Sequence, residues 1–84
     1  MAQDEVEKLK KKHVDTPQRE IVFQILEEYG ELSNPDLKRL ADSRGVTCGD
    51  EVARQMRPLT VTYHKPGHRV KFWNLAWRHN ENEI

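Results

Sequence analysis

Two short helix signatures separated by a tight turn, with a basic hairpin directly behind them, constrain this chain more than any other feature. Residues 35–44 and 48–57 carry helical spacing, Arg44-Gly45-Val46 separates them, and 59–74 alternates around Lys65-Pro66-Gly67-His68. The 84 residues suffice for one small domain and are too few for two.

The helix boundaries are written in capping residues. Thr16 supplies a capping oxygen, and Pro17 occupies the first helical position, where its missing N–H is harmless. Ile21, Val22, Ile25, Leu26 and Tyr29 then share one wide face, Phe23 falls just outside it, and Gly30 permits a left-handed stop. Glu31-Leu32-Ser33 reads as a short extended link with Leu32 turned inward. Ser33-Asn34-Pro35-Asp36 is a second helix start, and Leu37, Leu40 and Ala41 mark its core face before Gly45 ends it. Thr47-Cys48-Gly49-Asp50 has the spacing of a capping box with Asp in the Glu position. The third helix is expected to bury Val52, Ala53 and Met56 and to stop before Pro58. Its opposite face carries Asp50, Glu51, Arg54, Gln55 and Arg57, with Asp50 four residues before Arg54, the spacing of an ordinary ion pair.

For the hairpin, a turn at Pro66-Gly67 pairs Tyr63 with Val70, Val61 with Phe72 and Leu59 with Asn74, an apolar face. His64, Thr62 and Thr60 then oppose Arg69, Lys71 and Trp73 on the other. Pro-Gly suits a type II turn better than the primed turns of two-residue hairpins, so a longer loop with shifted register is the alternative. The domain is expected over 15–77. Residues 1–14 read as an arm or an extra short helix whose apolar edge is Val6 and Leu9, and 78–84 as a polar tail.

Net charge is zero but unevenly placed. Residues 1–37 hold five Lys/Arg against nine Asp/Glu, whereas 38–78 hold nine against three. The basic stretch contains the second and third helices and the hairpin, which hints at an anionic partner. No apolar run approaches the roughly 18–20 residues of a membrane span, so no membrane association is expected. The start Met1-Ala2-Gln3-Asp4-Glu5 lacks a secretion pattern, and the single Cys48 cannot form an internal disulfide, so the cytoplasm is the expected setting. Cys48 itself reads as a buried or half-buried thiol.

Catalysis and cofactors are not expected. Cys48 has no base and orienting partner marked near it, the glycines are isolated at turns, and Glu27-Glu28 lie on a solvated helix face. His64 and His68 flank the hairpin tip but bring only two ligands, so no metal is expected there.

Helices at 16–30, 35–44 and 48–57 followed by the hairpin, with the run Pro66-Gly67-His68-Arg69-Val70-Lys71-Phe72-Trp73-Asn74-Leu75, resemble the winged helix-turn-helix superfamily. The resemblance covers about 60 residues. It implies an α+β fold of three helices with a C-terminal β-hairpin wing, and sequence-specific binding of double-stranded DNA by a small transcriptional regulator acting through occupancy. By position, Arg54, Gln55 and Arg57 would read bases, and Lys65, His68, Arg69 and Lys71 would be the wing contacts. The alternative it leaves open is a protein-interaction module. In the register above Trp73 points away from the core face, so either Val6 and Leu9 cover Trp73 or Trp77, or these two tryptophans contact a partner or a second copy in a homodimer.

Overall fold

The computed structural model describes residues 3–57 and 59–82; Pro58, expected to stop the third helix, lies outside the described residues. Five helices and a three-stranded antiparallel sheet make an α+β fold among them.

Helix α1 (Gln3–His13) carries Asp4 and Glu5 in its first turn and Lys10, Lys11, Lys12 and His13 in its last, charges that complement the helix dipole. Leu9 and Val14 pack against the core and Val6 is half-buried. Helix α2 (Pro17–Tyr29) begins at Thr16, whose hydroxyl accepts from the Arg19 amide at 3.2 Å, and ends at Gly30 with φ 75°. Its buried arc is Val22, Phe23, Ile25 and Leu26, while Tyr29 is 53% exposed. The expected face is therefore corrected by rotation towards Phe23. Trp77 lies 6.2 Å from the Phe23 ring and Lys10 Nζ sits 5.1 Å above it, so neighbours at both ends of the chain cover a flank that helical spacing leaves open.

The link after Gly30 forms β1 (Leu32–Ser33), and Ser33 then caps α3 (Asn34–Ser43) by accepting from the Asp36 amide. Gly45, at φ 86°, turns the chain so that the Val46 amide bonds back to Ala41 and Val46 is buried. The capping box expected before α4 (Gly49–Gln55) is not made. Cys48 is the flanking residue, it adopts φ 58° and ψ 54°, and no side chain caps the helix. The helix starts one residue late for that box, and its flanking residue is left-handed where a capping side chain needs extended backbone. Gly49 lets α4 approach α3 closely, since a Cβ there would stand 2.5 Å from Ala41 Cβ, and the Cys48 thiol is exposed, correcting the buried thiol expected.

Strands β2 (Thr60–His64) and β3 (Lys71–Leu75) complete the sheet in the order β1-β3-β2. Thr60 faces Leu75, Thr62 faces Trp73 and His64 faces Lys71, two residues away from the simple register and in keeping with the longer-loop alternative. The His68 amide bonds the Lys65 carbonyl across Pro66-Gly67, with Gly67 at φ 82°, as Pro-Gly favours. Such a turn does not match the strand twist, and pairing resumes only beyond Val70.

A two-residue shift keeps each side chain on its own face, yet the face against the helices is the one expected to point outwards. Thr60, Trp73 and Leu75 are fully buried, and Thr60 Oγ1 donates to the Ala53 carbonyl at 2.7 Å. The opposite face, with Val61, Tyr63, Phe72 and Asn74, is covered by α5 (Ala76–Asn82), where a polar tail was expected. Arg78 in α5 donates to the Leu26 and Glu27 carbonyls at the end of α2, and His79 stacks on Tyr63 at 4.2 Å. The partner role expected of Trp73 is corrected accordingly, since none of its surface remains exposed, whereas Trp77 is half-buried beside Phe23.

Candidate nucleic-acid interface

Helix α4 buries Val52 and Ala53 and turns Glu51, Arg54 and Gln55 to solvent, with Arg57 exposed just past its end. Arg54 Nη1 lies 3.2 Å from Glu51 Oε1, so the acid that engages it is Glu51, one turn back, and not Asp50. Gln55 is engaged as well. Its Oε1 accepts from Arg19 Nε at 3.3 Å and Nη2 at 3.2 Å, while Arg19 Nη1 is held by Asp15 Oδ1 at 2.6 Å. Arg57 has no side-chain partner among the described residues.

The four residues expected in the wing divide in the same way. Lys65 Nζ donates to Glu31 Oε1 at 2.7 Å and sits 4.9 Å above the Phe72 ring, while His68 meets that ring edge-on at 5.0 Å. Lys71 lies 5.5 Å over the Trp73 ring. Arg69 is exposed without an acidic partner among the described residues, and Val70 beside it is 39% exposed. Where the β2–β3 loop leaves the sheet there is a small polar cluster: Glu31 accepts from Lys65 and from the Tyr63 hydroxyl, and His79 covers the Tyr63 ring. Lys65 and Tyr63 hold the Glu31 carboxyl below its usual range, and burial, helped by Glu31, pushes the Tyr63 hydroxyl up to about 12.

Asp15, Arg19 and Glu31 join the site through contacts that their place in the sequence does not announce. Asp15 and Arg19 are a local i,i+4 pair, but Arg19 meets Gln55 36 positions on and Glu31 meets Tyr63 and Lys65 32 and 34 positions on, which no local spacing records. A separate open depression of about 420 Å³ lies beside α3, lined by Lys38, Arg39, Asp42, Thr47 and Cys48. Among the described residues, no group of three His, Cys, Asp or Glu side chains is placed to hold a metal ion, and no helix is long and apolar enough to cross a membrane. Comparison with protein-family models, with curated proteins and with solved structures finds no match for this chain.

Proposed function

We propose that the chain is a winged helix domain that binds double-stranded DNA sequence-specifically, with α4 as the reading helix and the β2–β3 loop as the wing, and that it acts as a regulator by occupancy. One observation carries the reading. Arg19, Arg39, Arg44, Arg54 and Arg78 all donate to a carboxylate or a backbone carbonyl, and the two arginines left without such a partner among the described residues are Arg57 and Arg69. They stand where a winged helix would meet bases and phosphates. An exposed, unneutralised guanidinium is the group best suited to guanine edges and phosphate oxygens, and a paired one is not. Lys71 and His68 flank Arg69, packed against the Trp73 and Phe72 rings, while Lys65 turns its charge to Glu31.

A mobility shift on mixed-sequence duplex, titrated with salt, tests the reading. Each neutralised phosphate should add about 0.9 to the slope of log affinity against log salt. A retained complex that weakens steeply with salt is the expected outcome. Absence of a complex even at low salt would remove the DNA reading in favour of a protein-interaction module.

A further inference from the structure

We infer that Arg19, outside the reading helix, determines which base Gln55 selects, by holding the Gln55 carbonyl and leaving only its N–H groups to face outward. The inference rests on the DNA-binding reading above and adds a specificity-determining residue to it.

A free glutamine reads adenine with both ends of its amide: the oxygen accepts from the adenine amino group while the nitrogen donates to N7. Here the oxygen is spoken for. Arg19 directs two N–H groups, Nε and Nη2, into Gln55 Oε1 at 3.3 and 3.2 Å. Arginine has donors and no acceptor, so it is the carbonyl end of the amide that turns towards Arg19, and its two lone pairs are both used. Asp15 completes the clamp by gripping the third nitrogen of Arg19 at 2.6 Å. That contact also offsets the charge of Arg19, which makes it a poor phosphate ligand and a good brace. Its side chain is only 25% exposed, whereas Gln55 is exposed.

What Gln55 then offers a base edge is donors alone. Guanine presents two acceptors in the major groove, O6 and N7, and suits that pattern. Adenine would set its amino group against the Gln55 amide nitrogen, donor against donor. The braced Gln55 therefore selects guanine where an unbraced one would select adenine.

Selection from a randomised duplex library by the full-length chain, repeated with Arg19→Met and Gln55→Glu, tests this. The parent should enrich guanine at one position, and Arg19→Met should turn that position alone towards adenine, by about tenfold in relative affinity. Gln55→Glu replaces the outward donors with a carboxylate beside Arg19 and should turn the same position towards cytosine, whose amino group donates. Gln55→Glu keeps a partner for Arg19, so it carries the test should Arg19→Met lose its helical circular dichroism. A parent that selects a site that neither folded variant alters would overturn the role of Arg19 while leaving DNA binding intact. A parent that retains no duplex at all would overturn the DNA reading, and this inference with it.

Discussion

The indole Nε1 of Trp73 donates to Oδ1 of Asn34 at 2.8 Å, joining the central strand of the sheet to the first residue of α3. Trp73 is fully buried, so its one polar side-chain atom must be satisfied inside the protein, and Asn34 satisfies it at the start of α3. Replacing Asn34 with Leu should strand that N–H and lower stability by about 1–3 kcal/mol. Asn34→Asp keeps an acceptor and places a negative charge at a helix start, so it should lose much less. Urea unfolding of the two variants checks the order; equal losses would show that the bond contributes little.

Gly49 sets the distance between α3 and α4. Gly49→Ala should destabilise by about 1–3 kcal/mol through overpacking against Ala41. Adding Ala41→Gly should return part of that loss, because it removes the atom that is struck. A double-mutant cycle reads the coupling, and strictly additive losses would contradict the contact.

The Glu31–Tyr63 pair gives the protein a stability limit at each end of the pH scale. Glu31 has a folded pKa below its ordinary value, so its contribution is complete above the unfolded value near 4.5 and is lost as pH falls. Tyr63 has a folded pKa of about 12 against 10 unfolded, so the unfolded state loses its proton first and stability declines as pH rises from 10 towards 12. Thermal unfolding should show Tyr63→Phe flattening the alkaline limb and Glu31→Gln softening both. An unchanged alkaline limb in Tyr63→Phe would place its origin elsewhere.

The wing cations should not be equivalent. Arg69→Ala should lower affinity for all duplexes and reduce the salt slope by about one. Lys65 already spends its charge on Glu31, so Lys65→Ala should change the slope less. Identical slopes for the two variants in a salt titration would count against a wing organised by Glu31.

Arg57→Ala should instead cost discrimination, on the order of 1–3 kcal/mol at one base position, with a smaller loss of non-specific affinity. Selection from a random library checks this, and an unaltered consensus would remove Arg57 from the reading set.

Much of the fold was legible in local chemistry. Thr16, Gly30, Ser33 and Gly45 mark their helix ends where sequence places them, because caps and left-handed stops depend on residues within a few positions. The hairpin was legible in its alternation and its Pro-Gly tip. Which face of it became the core was not, since both faces are apolar enough to bury and α5 covers one of them. Helix α5 is not legible locally, because seven residues of modest propensity are held by contacts with Phe23, Tyr63 and the end of α2, all distant in sequence. The same limit applies to the site. Helical spacing alone places Arg54 and Gln55 on the open side of α4, with Arg57 just beyond its end. Only tertiary structure decides that Arg19 occupies Gln55, that Glu31 occupies Lys65, and that Arg57 and Arg69 meet no acid among the described residues, because hydrogen bonding between side chains 34 or 36 positions apart depends on how helices and strands pack.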